Sequence, residues 1–252
     1  MDTDPTADER RVNGIRRLDE ASAAASAGDL ESAWAAVPWL PRAIAADAAS
    51  GLFALWARST IVDENVGAPV LSRGVFERLH REAGLTADWP IGNAGLLHVY
   101  GYLLSTTPTP YGLKRERWLG ADLAAAFGLD DDAFLPWRPE PSLLTRVTAA
   151  ALALLDTAPV RRDERAGTFR VALSAASGPA ALVYARTDAS DHVAGNDSEG
   201  SNSSGSDSAG SDSAGSDSAG VRLVTTFPVT DAAALLAALD AEPDRVRWNA
   251  AG

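Results

Sequence analysis

The chain has 252 residues, which is enough for one large domain or two small ones, and 46% of them are hydrophobic. It carries 34 acidic and 22 basic residues, for a net charge of −12, and Lys114 is its only lysine. The absence of cysteine excludes disulfide bonds, thiolate metal sites and cysteine nucleophiles. A polar N-terminus and the lack of any apolar stretch of about 18 residues predict a cytoplasmic protein without a membrane span.

The excess of carboxylates with almost no lysine is the composition expected of a protein that stays soluble in molar salt. Repulsion between the carboxylates is tolerable there, because the Debye length falls to about 3 Å at 1 M salt. The composition therefore predicts a halophilic protein, and an ordinary acidic protein from a GC-rich genome is the alternative. Under the first interpretation, a place where positive charge persists is informative about function.

Hydrophobic residues at helical spacing predict a mainly helical region over residues 1–158. Asn93 and Ser142 are the expected N-caps of two of its helices, and Pro108 and Pro110 predict a rigid, extended connection. The predicted helices span 7–27, 30–37, 43–62, 75–83, 94–105, 113–127 and 143–155.

Alternating, β-branched segments replace the helical pattern in the second region, residues 159–252. Strands are predicted at 168–174, 181–187, 221–229 and 245–248, with a short helix at 232–239 that Asp231 caps. The order β-β-β-α-β after a run of helices predicts an α+β fold with a small antiparallel sheet.

A low-complexity insertion, residues 188–220, separates the second and third of these strands. It contains a repeated Gly-Ser-Asp-Ser-Ala unit, which starts at Gly205, Gly210 and Gly215. Apolar groups larger than alanine are nearly absent, so the insertion is predicted to be disordered. A calcium-binding β-roll is rejected, because its repeat needs a large apolar residue.

The segment 93–118 concentrates the residues that suit ligand chemistry. His98 and Tyr102 lie four residues apart, on one face of a predicted helix. The cations of the next predicted helix lie near its start, where the helix dipole favours an anion. An anionic ligand would supply the negative charge, and so would an acidic side chain of the protein such as Asp63 or Glu64.

The sequence therefore predicts a site for a small anionic molecule, in which lysine and arginine pair with a carboxylate or phosphate. If the protein is an enzyme, His98 is the expected proton-transfer group, because it titrates nearest neutral pH. No cofactor and no metal ion is expected, because no two histidines have metal-ligand spacing. The predicted site residues are Asn93, His98, Tyr102, Tyr111, Lys114, Arg115 and Arg117.

Three other interpretations remain open. In the first, the segment is a salt-bridged helix face, and its histidine and tyrosines are satisfied core groups. In the second, the arginine-rich C-terminal sheet is a nucleic-acid-binding or ribonuclease-like module, which would need Phe169, Tyr184 or Phe227 exposed for base stacking. In the third, the protein is an interaction module without catalysis.

Overall fold

The computed structural model of the protein describes residues 6–138, 140–164, 169–187 and 220–242. Two sequence predictions concern other residues. The predicted disordered insertion lies outside the described residues except at its last position, Gly220, and the predicted strand at 245–248 lies wholly outside them.

Three helices begin the fold: α1 (Ala7–Ser26), α2 (Leu30–Ala36) and α3 (Trp39–Ala49). A capping box starts α1, because the Thr6 side chain accepts from the Glu9 backbone N–H at 3.2 Å and the Glu9 carboxylate accepts from the Thr6 N–H at 2.7 Å. The helices predicted at 7–27 and 30–37 are confirmed.

The helix predicted at 43–62 is wrong beyond residue 49. Gly51 adopts a φ of 72°, a left-handed conformation that ends the helix, and a 3-10 turn follows at Leu52–Leu55. Strand β1 (Arg58–Thr60) then pairs antiparallel with β2 (Ile91–Asn93). Thr60, Ile61 and Val62 are all β-branched, and β-branched side chains favour extended backbone over helix.

Helix α4 (Arg73–Glu82) precedes β2, and a second helical segment follows it. This segment widens to a π-helix at Leu96–Tyr100 and tightens to a 3-10 helix at Gly101–Leu104. The predicted cap is confirmed, because the Asn93 Oδ1 accepts from the Leu96 N–H at 3.1 Å. The helix predicted at 94–105 is therefore present but irregular, and it carries His98 and Tyr102.

The predicted helix 113–127 is wrong as a single element. Its start belongs to a hairpin of β3 (Pro108–Thr109) and β4 (Gly112–Leu113), and two short helices follow: α5 (Glu116–Leu119) and α6 (Asp122–Ala126). Gly120 separates them with an extended conformation. Lys114 and Arg115 consequently lie between the hairpin and α5 rather than within a long helix.

Helix α7 (Leu143–Thr157) is capped as predicted, because the Ser142 Oγ accepts from the Thr145 N–H at 3.0 Å. A four-stranded antiparallel sheet and helix α8 (Ala232–Ala241) follow. The strands lie side by side in chain order: β5 (Val160–Glu164), β6 (Phe169–Leu173), β7 (Ala180–Thr187) and β8 (Val221–Val229). Strand β5 was not predicted, because its charged residues hide any alternation.

Both faces of the sheet are covered by hydrophobic residues. Val183 and Ala185 of β7 belong to a large cluster with the N-terminal helices, whereas Leu182 and Tyr184 face a smaller cluster with α8. The N-terminal helices thus share a core with one face of the sheet, α8 covers the other face, and the α+β fold is confirmed. No helix among the described residues is long and apolar enough to cross a membrane.

Candidate functional site

His98 is a buried connector between three elements. The ring is 2% exposed, its Nδ1 lies 2.8 Å from the Val224 carbonyl oxygen of β8, and its Nε2 lies 3.1 Å from the Ser59 Oγ of β1. A carbonyl oxygen can only accept, so Nδ1 carries a proton. Both ring nitrogens therefore have a hydrogen-bond partner, and the Ser59 hydroxyl can donate to Nε2 when the ring is neutral.

The surroundings of His98 oppose its protonation. Burial, followed by the positive charge of Arg117, lowers its pKa from 6.5 to about 3, and the Val224 carbonyl only partly offsets them. A group with such a low pKa is a weak general base at neutral pH. The hydrogen bonds of His98 give it a structural role that requires no proton transfer.

A hairpin and the buried Trp118 place Lys114 and Arg117 against the helical segment that carries His98 and Tyr102. In the hairpin, the Thr109 Oγ1 donates to the Gly112 carbonyl at 2.9 Å, and Gly112 adopts a φ of 85°. Trp118 of α5 is 1% exposed, and its Nε1 donates to the His98 carbonyl at 3.2 Å. The chain between the hairpin and Trp118 is thereby held against the segment that carries His98.

Tyr102 is the centre of the resulting group. Its ring stacks on the His98 ring with a centroid distance of 4.9 Å. The Lys114 Nζ lies 5.6 Å and the Arg117 Cζ 5.5 Å from its centroid, within cation–π range. We call His98, Tyr102, Lys114 and Arg117 the Tyr102 cluster; these four predicted site residues come together although they lie on separate elements.

The other three predicted residues lie apart from the Tyr102 cluster. Asn93 is occupied as a cap, and its Nδ2 donates to the Phe53 carbonyl at 2.8 Å. Tyr111 is 81% exposed at the hairpin tip. Arg115 points to α1, where it forms a 2.6 Å ion pair with Asp19.

Lys114 is paired inside the protein. Its Nζ lies 2.5 Å from a carboxylate oxygen of Asp63, and the two side chains are 15% and 2% exposed. The other oxygen of Asp63 accepts the backbone N–H groups of Asn65 and Val66, at 2.9 Å and 3.1 Å. Burial raises the pKa of Asp63, but Lys114 and these N–H groups outweigh it, so the pKa is lowered and the carboxylate is ionised.

Arg117 differs from its two cationic neighbours. Its guanidinium packs against the rings of Tyr102, Trp118 and Phe227, at 5.5, 5.7 and 5.4 Å from their centroids. One N–H donates to the Thr225 Oγ1 at 3.2 Å. It forms no ion pair with any carboxylate of the described residues.

Burial lowers the pKa of Arg117, partly offset by Tyr102 and Asp63. The guanidinium nevertheless keeps its charge at neutral pH, because its ordinary pKa exceeds about 12. The Arg117 and Lys114 side chains are partly exposed, as is Phe227, so the outer side of the cluster reaches the surface.

Sequence reasoning missed the partners that other elements supply. Ser59 comes from β1, and Thr225 and Phe227 come from β8, more than 100 residues after the helical segment. The sequence indicates Phe227 only as a residue that a nucleic-acid-binding sheet would need exposed, and the structure packs its ring against Arg117. Asp63 is one of the two acids that the sequence offers to neutralise the cations, and the structure pairs it with Lys114.

A separate groove of about 380 Å³ is lined by residues of the 129–138 segment, by Pro141 and by α7. Arg146 borders it, but its guanidinium donates to backbone carbonyls, including that of Leu135 at 2.9 Å. The second cation, Arg138, is 3.2 Å from Asp132. Both cations of this groove are therefore already engaged.

Two of the three aromatic residues named for base stacking are buried in the sheet, since Phe169 and Tyr184 stack on each other at 5.2 Å and are 7% and 0% exposed. The third, Phe227, is partly exposed and packs against Arg117 of the Tyr102 cluster. Within the described ranges, no three histidine or acidic side chains converge as metal ligands would. The Tyr102 cluster is thus the best-defined candidate site.

Comparisons with known proteins add no functional information. No protein-family model matches the chain, and no curated protein and no solved structure shows significant similarity to it.

Proposed function

We propose that this protein binds a small anion at the Arg117 guanidinium, on the outer side of the Tyr102 cluster. One observation carries the proposal: in a chain with 34 acidic residues, the partly buried Arg117 has no carboxylate partner among the residues described. Its neighbours Lys114 and Arg115 each have one. The three cations lie within four consecutive residues of the chain, and only Arg117 lacks a carboxylate partner among the residues described.

An unpaired charge such as that of Arg117 is costly to bury. Removing an ion from water costs several kcal/mol, and attraction to an opposite charge is the usual compensation. The rings of Tyr102, Trp118 and Phe227 and the Thr225 hydroxyl compensate Arg117 in part. A bound anion would complete the compensation, because a guanidinium donates two parallel hydrogen bonds to a carboxylate or phosphate.

The proposal is a binding activity without a catalytic step. His98 has a structural role in the cluster. Its ring stacks on Tyr102, and hydrogen bonds to Ser59 and Val224 fix the position of the ring. Its low pKa makes it neutral at neutral pH, so it adds no charge to the site. Its expected effect on ligand binding is through the position of Tyr102.

A matched pair of variants tests the proposal by thermal unfolding with and without sodium acetate. Acetate should raise the unfolding temperature of the wild type and of Arg115→Gln, because ligand binding to the folded state stabilises it. It should not do so in Arg117→Gln. Both variants remove one positive charge, so an equal loss of the acetate effect in both would contradict a site at Arg117.

We also propose that the protein works in the cytoplasm of a salt-accumulating cell. The net charge of −12 and the single lysine support this proposal. The free energy of unfolding should rise as KCl is raised from about 0.1 M to about 2 M, because salt screens the repulsion between carboxylates. A constant or falling free energy over that range would contradict it.

A further inference from the structure

We propose that the Arg117 site selects singly charged anions, such as carboxylates, over doubly charged ones, such as sulfate. This inference rests on the proposed function, and it adds the class of ligand. It follows from the charges that surround Arg117, which sum to a single positive charge.

The charge of the cluster is set by three ionised groups. Lys114 and Arg117 are cations, and Asp63 is an anion 2.5 Å from Lys114. His98 is hydrogen-bonded to the Val224 carbonyl and the Ser59 hydroxyl as a neutral ring. The sum leaves one positive charge for a ligand to neutralise.

Lys114 is not available as a second cation for the ligand. Asp63 is 2% exposed and is fixed by the N–H groups of Asn65 and Val66 as well as by Lys114. A ligand that took Lys114 away would leave a buried carboxylate without its cation, which is strongly unfavourable. Asp63 also acts on Arg117 electrostatically, so it would repel a second negative charge placed there.

The apolar surroundings of the guanidinium favour the same selection. The rings of Tyr102, Trp118 and Phe227 surround Arg117, so a bound anion loses part of its hydration. The cost of dehydrating an ion grows with the square of its charge, and one guanidinium cannot compensate two charges. A single carboxylate matches both the charge and the paired donors of Arg117.

The test compares the dissociation constants of sodium acetate and sodium sulfate for the folded protein. They are measured by titration followed by NMR of the arginine Nε–H groups, in a constant KCl background at neutral pH. The wild type should bind acetate more tightly than sulfate by at least about tenfold. Sulfate binding equal to or tighter than acetate binding would overturn the inference and leave the proposed function intact.

Failure of the proposed function gives a different result. In that case neither anion would shift the Arg117 resonance in a saturable way. The two outcomes are distinguishable in one experiment on the wild-type protein, so they do not depend on whether any variant folds.

A charge cycle then identifies Asp63 as the origin of the selectivity. Asp63→Asn frees Lys114 and raises the site to two positive charges, so the preference for acetate should shrink by about tenfold or more. Asp63→Asn combined with Lys114→Gln returns the site to one positive charge and should restore the preference. An unchanged preference in Asp63→Asn would overturn the role of Asp63.

The variant Asp19→Asn is a control for the change in net charge that Asp63→Asn causes. Asp19→Asn raises the net charge by the same amount as Asp63→Asn, but it removes the partner of Arg115, away from the cluster. The ratio of acetate to sulfate affinity should remain at the wild-type value in this variant. A shift as large as that in Asp63→Asn would show a general charge effect and overturn the inference.

Discussion

Replacement of His98 by glutamine should remove a large part of the acid sensitivity of the fold. In the folded protein the pKa of His98 is lowered from 6.5 to about 3, chiefly by burial. The folded state therefore stays unprotonated at His98 at pH values where the unfolded chain has already bound a proton. Stability is full above the unfolded pKa of 6.5 and falls as the pH drops from there toward 3.

The magnitude follows from the two pKa values. Between about pH 8 and about pH 5, the proton bound only by the unfolded state costs about 2 kcal/mol of stability. In His98→Gln the amide can donate to the Val224 carbonyl and accept from Ser59, but it does not titrate. His80 and the carboxylates titrate in both proteins, so their contributions cancel when the two curves are subtracted.

Urea unfolding at a series of pH values measures this difference. The wild type should lose about 2 kcal/mol more than His98→Gln over that interval. Parallel curves for the two proteins would refute the reasoning, and so would an NMR titration of the folded protein in which His98 titrates near its ordinary pKa.

Two further substitutions test the packing and the charge pairing around the site. Gly95→Ala places a Cβ 2.6 Å from the buried ring of Trp56 and should destabilise the protein by about 1–3 kcal/mol in urea unfolding. In the control Gly74→Ala, which lies in helix α4, the nearest atom to the new Cβ is 3.4 Å away. This substitution should be neutral or should stabilise the protein by up to about 1 kcal/mol. Similar losses of unfolding free energy in both variants would contradict the packing argument. Lys114→Gln leaves Asp63 without its cation and should cost about 1–3 kcal/mol of unfolding free energy, whereas an unchanged value would show that the ion pair does not stabilise the fold.

The sequence predicted correctly those helices that begin at a clear N-cap residue. Ser142 and Asp231 cap their helices as expected, because an N-cap depends only on the next three residues. The long helix predicted at 43–62 failed for a nonlocal reason. Its second half pairs with β2, about 30 residues later, and a single-sequence pattern does not show such pairing.

For the candidate site, too, only the local part could be predicted from the sequence. His98 and Tyr102 share a face because they are four residues apart, and the segment is helical as expected. Which cation would face them was not predictable, because the helix begins at Glu116 and not at residue 113. That shift directs Arg115 to Asp19 and Arg117 to the cluster.

The arginine Nε–H spectrum of the wild-type protein, titrated with sodium acetate, tests the central claim most directly. The Arg117 signal is assigned on the wild-type protein itself, by correlating each arginine Nε–H with the backbone signals of its residue. The account predicts a saturable shift of this signal, with the Arg115 signal unchanged because Asp19 already occupies that guanidinium. If the Arg117 signal does not move, or if all arginine signals move alike, the claim of an anion site at Arg117 is contradicted.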